Sequence, residues 1–145
     1  MNWQNPDDEM FTKLLRNAKT IAVYGCSPKP DRTSHQITAF LIEKGYEVYP
    51  VHPKAETILG RKCYAKLADI PVHIDIVDVF RKAEFTEEVA KQAVEIGAGA
   101  FWLQLGIVNE KSWQIANEGG VMAIMDRCIA IDHRRLIQSN LIHPD

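Results

Sequence analysis

The sequence predicts an α/β fold, a single doubly wound domain over residues 1–145 with a five-stranded parallel sheet and helices on both faces. Three observations carry this. Short, continuously apolar, β-branched runs recur along the chain, as in strands covered on both faces. Each is followed through a short connection by a segment of helical period, the alternation that builds parallel βαβ units with right-handed crossovers. Finally, 145 residues of which 46% are apolar can fill one core beneath both faces of a sheet, whereas two domains would be crowded. The expected strand order is 3-2-1-4-5. It places a switch point between the first and fourth strands, where open sheets take ligands outside the strand carboxyl ends.

The elements follow in order. From Asn5, NPDDEMFTKLLRNA shows a capping Asn, Pro at the first helical position, early acids and an apolar stripe of Phe11, Leu14, Leu15 and Ala18, which predicts a leading helix. TIAVYG, residues 20–25, is the first strand. Ser34 is placed to cap a helix bearing Ile37, Phe40, Leu41 and Ile42, and Gly45 to end it. EVYPV, residues 47–51, is the second strand. Its Pro50 lacks a ladder donor, so the strand ends early or that position faces an edge or a bulge. Between Lys54 and Pro71 the pattern is mixed, with a turn at Gly60 and a short helix over 65–70. Residues 74–80 (IDIVDVF) form the third strand, 86–96 a helix and 100–103 the fourth strand. Asn109 caps a helix through Glu118, Gly119-Gly120 stops it, and 121–125 is the fifth strand.

Composition excludes several classes of function. A net charge of −2 without a Lys/Arg-rich run leaves no electrostatic footprint for nucleic acid or an anionic membrane surface. The acidic start MNWQNPDDEMF does not read as a secretory signal, and no apolar run reaches membrane-span length, so a cytoplasmic location is expected. Cys26, Cys63 and Cys128 are widely spaced and odd in number, which reads as reduced thiols rather than a disulfide framework or a zinc site. His35, His52, His73, His133 and His143 are scattered, and no nucleophile–base pair or metal-ligand spacing emerges, so no catalytic or metal-binding residue is nominated.

The chemistry gathers at the expected carboxyl edge. GCSPKPDRTSH after the first strand combines Gly25, hydroxyls at Ser27, Thr33 and Ser34, cations at Lys29 and Arg32, and the opening of a helix. Unpaired N–H groups at a helix start, assisted by a guanidinium, suit phosphate oxygens. A solvated turn rich in Ser, Pro and Lys is the plainer alternative. His35, in the first helical turn, is placed for a ligand hydrogen bond. The dinucleotide fingerprint G-x-G-x-x-G is absent, and the second strand ends in His52-Pro53-Lys54 where nicotinamide-dinucleotide folds place a carboxylate for the ribose. Lys54 and His52 would attract a phosphorylated ribose, which favours coenzyme A over NAD and leaves NADP open. Phe80 and Arg81 after the third strand offer a planar surface for adenine. Gln104 and the Gly106 backbone lie where the remainder of such a ligand would extend. Cys128, after the fifth strand, is at the same edge and within range of the ligand's own thiol.

In their order and spacing, GCSPKPDRTSH, VHP, KCYAKLADIP, VDVFR, WLQLGI and DRC resemble the small CoA-binding-domain family related to the amino-terminal domain of the succinyl-CoA synthetase α subunit. The resemblance covers nearly the whole chain. It implies a Rossmann-like fold that binds coenzyme A, with Gly25, Cys26, Ser27, Lys29 and Arg32 near the diphosphate. By the same transfer His52, Pro53, Phe80 and Arg81 border the adenosine, and Gln104 lies toward the pantetheine. Members of that family often carry Asn where this chain has His52. The synthetase also needs a domain with a phosphorylatable histidine and a partner subunit, which 145 residues do not accommodate, so ligase activity is not expected. The expected function is a non-catalytic binding or regulatory module for CoA or an acyl-CoA, with no protein partner identified. An NAD(P)-binding oxidoreductase or redox sensor is the alternative, and a degenerate nucleotide fold used only for docking a third reading. A mixed disulfide between CoA and Cys26 or Cys128 is a further expectation.

Overall fold

The computed structural model describes residues 3–137; both ends of the expected 1–145 domain, His143 among them, lie outside the described residues. The leading helix is α1 (Asp8–Asn17), and it buries Phe11 and Leu15. Its cap is Asp7, whose carboxylate accepts the Met10 N–H. Asn5, the expected cap, is engaged elsewhere, because its amide exchanges two hydrogen bonds of 2.8 and 2.9 Å with the Met125 main chain. The leading segment is thereby fastened to the far side of the domain.

Next come β1 (Thr20–Tyr24), α2 (Thr33–Glu43) and β2 (Glu47–Val51). Gly45 ends α2 with positive φ, as expected. The mixed stretch that follows holds β3 (Thr57–Ile58) and β4 (Arg61–Lys62), a two-residue hairpin turning through Leu59 and Gly60, both at positive φ. The short helix expected over 65–70 is a single 3-10 turn, Leu67–Asp69. The remainder is β5 (Ile76–Val79), α3 (Thr86–Glu95), β6 (Ala100–Leu103), α4 (Glu110–Glu118), β7 (Met122–Ile124) and α5 (Ile129–Leu136). The Asn109 side chain caps α4 by accepting the Ser112 N–H at 3.1 Å, as its position predicts.

Five strands form one all-parallel sheet in the order β2-β1-β5-β6-β7. In terms of the five main strands this is 2-1-3-4-5, which corrects the expected 3-2-1-4-5. The switch point accordingly lies between β1 and β5, the first and third strands. Pro50 supplies the physical reason. Under the expected order the second strand would be internal and would lose a ladder bond at that proline; at the sheet border its missing donor faces outward. On that outer side the Pro50 carbonyl accepts the Tyr64 N–H and the His52 N–H donates to the Tyr64 carbonyl, both at 3.0 Å.

Helices cover both faces as expected. On one, α1, α2 and α5 bring Phe11, Leu15, Ile37, Leu41 and Ile129 onto Ile21, Val23, Ile76 and Trp102. On the other, α3 and α4 bring Val89, Ala90, Ala93 and Ala116 onto Val77, Phe101 and Leu103. Every residue of β5 and β6 is buried, which explains why their sequences are continuously apolar rather than alternating. Asp78 breaks that rule and is itself fully buried. No helix among the described residues is long and apolar enough to cross a membrane.

Candidate functional site

The crevice forms where β1 and β5 part company, because the chain leaves β1 toward α2 on one face and β5 toward α3 on the other. Gly25 sits at its floor with φ +84°, and a Cβ there would lie 2.3 Å from the Phe80 carbonyl oxygen. Only glycine lets the chain turn out of β1 over the end of β5.

The loop beyond Gly25 is tied together by its own polar groups. The Ser27 N–H donates to Ser34 Oγ at 2.9 Å, the Lys29 N–H to Ser27 Oγ at 3.1 Å, and the Arg32 N–H to the Lys29 carbonyl at 3.1 Å. His35 Nδ1 lies 3.0 Å from the Ser27 carbonyl, which can only accept, so Nδ1 carries a hydrogen and Nε2 is left for another partner. Ser34 does not take the capping role its position predicts. Arg32 holds the N-cap of α2 without a side-chain cap, because the Ser34 hydroxyl is engaged within the loop. The N–H groups of Thr33, Ser34 and His35 find no acceptor among the described residues. The amino end of α2 therefore stands open beneath a pre-shaped loop.

Exposed cations follow the strands at the same edge. Lys29, Arg32, Lys54 and Arg81 are exposed, and among the described residues no carboxylate forms an ion pair with any of them. Asp31 is the carboxylate within the loop itself. Glu84, Glu87 and Glu88 line a hollow that Arg81 also faces, so the excess of positive charge at this edge lies with Lys29, Arg32 and Lys54, and such an excess attracts an anion.

Beside the loop, a cavity of about 240 Å³ is lined by Tyr24, Gly25, Val51, Pro53, Ala65 and Arg81. Pro53 and Arg81, both expected to border an adenosine, line this one cavity. Phe80 does not line it: its ring packs against the core on the α2 side, and its carbonyl lies under Gly25. Tyr24 and Pro53, from the ends of β1 and β2, present flat surfaces to the cavity. A neighbouring hollow of about 440 Å³ shares Tyr24 and Arg81, and there the Arg81 guanidinium lies 4.9 Å above the centre of the Phe85 ring. Another cavity, lined by Met10, Leu14, Asp75 and Gly99 among others, opens at the amino-terminal edge, away from these groups.

His52 has a structural duty. Its Nδ1 accepts the N–H groups of Lys54 and Ala55 at 3.0 and 2.8 Å, so the imidazole closes the turn that projects Lys54. An Asn side chain would supply a similar acceptor, which accounts physically for either residue at this position. Cys26 contributes only main chain to the crevice: its thiol is fully buried, 3.3 Å from Thr38 Oγ1, and burial pushes its pKa up.

Gln104 is 4% exposed, and its Oε1 accepts the Ile129 N–H that opens α5. The amino ends of α2 and α5 therefore share one face at the carboxyl edge. Cys128, half-buried at the N-cap of α5, stands next to Gln104 on that face. Among the described residues, no group of three His, Cys, Asp or Glu side chains is arranged to hold a metal ion.

Sequence reasoning missed Tyr24, Ala65 and the whole of α5. The spacing of Ile129, Ala130, Leu136 and Ile137, one helical stripe, carried the signal for α5.

The model of a family described as a CoA binding domain matches residues 19–134. A Bacillus subtilis protein called "Uncharacterized protein YneT" is 42% identical over 130 residues, covering 90% of this chain and 96% of that protein. A solved structure of a hypothetical protein from Pyrococcus horikoshii OT3 superposes with a TM-score of 0.88 at 40% identity, over 94% of this chain and 99% of that one. The α subunit of an ADP-forming acetate–CoA ligase I from Pyrococcus furiosus is 35% identical over 94 residues, which are 61% of this chain but only 20% of the subunit.

Proposed function

Because the chain belongs to the family of CoA binding domains, we propose that it binds coenzyme A, or an acyl-CoA, across the carboxyl edge of the sheet and acts as a binding or regulatory module rather than a catalyst. The observation that carries this reading is the open amino end of α2, whose Thr33, Ser34 and His35 N–H groups lack acceptors beside the unpaired Lys29 and Arg32. A diphosphate there is held by the helix end and by charge-assisted bonds. The adenine enters the cavity of Tyr24, Pro53, Ala65 and Arg81. Lys54, projected by the His52 turn, meets the ribose 3′-phosphate. The pantetheine arm crosses toward Gln104. The absence of the fingerprint glycines and of a ribose-binding carboxylate after β2 ranks NAD(H) behind CoA.

The test is thermal unfolding with CoA, dephospho-CoA, NADH and NADPH. CoA at a hundredfold excess over its Kd stabilises by about 2.7 kcal/mol. Dephospho-CoA binds more weakly, and Lys54→Ala lowers CoA affinity about tenfold while leaving dephospho-CoA almost unaffected. Equal stabilisation by CoA and dephospho-CoA removes Lys54 from the site. Tight NADH binding with no response to CoA overturns the reading altogether.

A further inference from the structure

We infer that the turn opening at His52 makes ligand binding proton-linked: the neutral imidazole holds Lys54 in place for the ribose 3′-phosphate, and protonation of that imidazole lets it go. The inference rests on the reading of Lys54 at that phosphate and adds a regulation of the same site.

His52 is half-buried just after β2, and its Nδ1 accepts two backbone N–H groups at once, from Lys54 at 3.0 Å and from Ala55 at 2.8 Å. Neither N–H has another acceptor among the described residues. An imidazole nitrogen that accepts carries no hydrogen, so the single hydrogen of the neutral ring is on Nε2. A second proton then has one place to go. It binds Nδ1, turns the shared acceptor into a third donor facing the other two, and removes both bonds together. Pro53 keeps its own φ whatever the ring does, so the part of the chain set loose begins at Lys54.

The other imidazole at this edge is wired in the opposite sense. His35 Nδ1 already carries its hydrogen toward the Ser27 carbonyl at 3.0 Å, so a proton added at Nε2 leaves that contact whole. Acid therefore disrupts the His52 turn and spares the loop after β1.

The neighbours of His52 do not titrate with it. On its own connection stand Lys54 and Glu56. From the hairpin side the Tyr64 carbonyl accepts the His52 N–H, and Lys62 lies 5.3 Å from the centre of the Tyr64 ring. Cys26 and Cys63 pack in one cluster with Ala55, and burial raises the pKa of both thiols. Lys29, Asp31 and Arg32 follow β1 at the same edge. No carboxylate forms an ion pair with the His52 ring among the described residues. Of these residue types, histidine is the one that changes charge between about pH 5 and 8.

Two effects oppose each other in acid. The imidazolium adds a positive charge near the phosphate, an attraction that salt screens at an exposed edge. Loss of the turn removes the placement of Lys54, and apparent affinity falls with the fraction of molecules in which the turn is closed. In about 0.3 M salt, where the screening length is near 6 Å, the second effect governs.

The experiment measures CoA and dephospho-CoA affinities by calorimetry in that salt, at about pH 8 and about pH 5.5, on the wild type and on His52→Asn. The wild type should prefer CoA about tenfold at the higher pH. On acidification its preference should fall about fivefold or more beyond any fall in His52→Asn, whose amide oxygen accepts without titrating. Protonation of the 3′-phosphate itself affects both proteins alike and cancels. On the unaltered chain, magnetic resonance should show the Lys54 and Ala55 amide protons shifting together with the His52 ring, which decides the matter if the variant misfolds. A parallel fall in the two proteins, a preference that rises in acid, or amide resonances that stay put while the ring titrates overturns the inference and leaves the CoA reading standing. Equal affinity for CoA and dephospho-CoA at the higher pH removes Lys54 from the phosphate, and the inference falls with it.

Discussion

Replacing Asp78 by Asn should change how stability depends on pH, by an amount set by the surroundings of this carboxyl group. Asp78 lies in β5 in register with Val23 on β1 and Trp102 on β6, with no exposed surface and, among the described residues, no hydrogen-bond partner for either carboxyl oxygen. Burial raises its pKa well above the ordinary carboxylate value, so the folded protein keeps the proton. The unfolded chain releases it near pH 3.9. Above that pH the folded state binds more protons than the unfolded one, so stability falls as pH rises, by about 1.36 kcal/mol per unit until the folded pKa is passed. Asn has the same shape and does not titrate. Between pH 5 and pH 7 Asp78→Asn should therefore gain on the wild type by up to about 2.7 kcal/mol, read as a shift in urea midpoint at unchanged slope. Taking the difference between the two proteins cancels the other titrating groups. Parallel pH profiles would refute this reasoning, because they would mean that Asp78 is ionised in the fold and has found a partner.

Two further substitutions test the backbone. Gly25→Ala places a methyl group against the Phe80 carbonyl at φ +84°; left-handed strain and the clash together should cost about 3 kcal/mol and displace the anion loop, seen as a lowered melting temperature and weakened CoA binding. An Ala variant as stable as the wild type would show that the loop leaves β1 by another route. Leu59→Asn, in the hairpin turn where Leu59 has φ +52° ahead of Gly60, should stabilise by about 0.5–1 kcal/mol, since Asn followed by Gly suits a two-residue turn of this hand; a lower urea midpoint would contradict it.

The five main strands were legible because each is short, apolar and rich in Val, Ile or aromatic residues, and the Asn109 cap was legible because the capping side chain lies beside its helix in sequence. Strand order was harder. Adjacency of β1 to β5 is a long-range choice, and the one local clue, Pro50 at the border, carried it only in the negative sense that an internal strand was disfavoured. At the site, Gly25, Lys29, Arg32 and Lys54 could be picked out by residue type alone. Ser34, His35 and His52 are polar residues near a helix start or a turn, and sequence does not reveal that Ser34 and His52 accept from backbone N–H groups while His35 donates to a carbonyl. The direction of Phe80 was not legible either: alternation along the pleat sends Val79 toward α3 and Phe80 toward α2, away from the cavity that holds Tyr24 and Pro53. Asp78 escaped notice because a single acid in an apolar run reads as the end of a strand or a tolerated exception, not as a carboxyl group sealed in the core.

Pro50 also bears on how copies of this molecule meet one another. A sheet whose last strand offers a full row of donors and acceptors invites a stranger to align and extend it. Here one position of that row has no donor, and the carbonyl of Pro50 and the N–H of His52 are already engaged by Tyr64. Chains crowded together find no ready template at that flank, so concentrated solutions should resist fibre formation through it without the charged gatekeepers that many proteins station there.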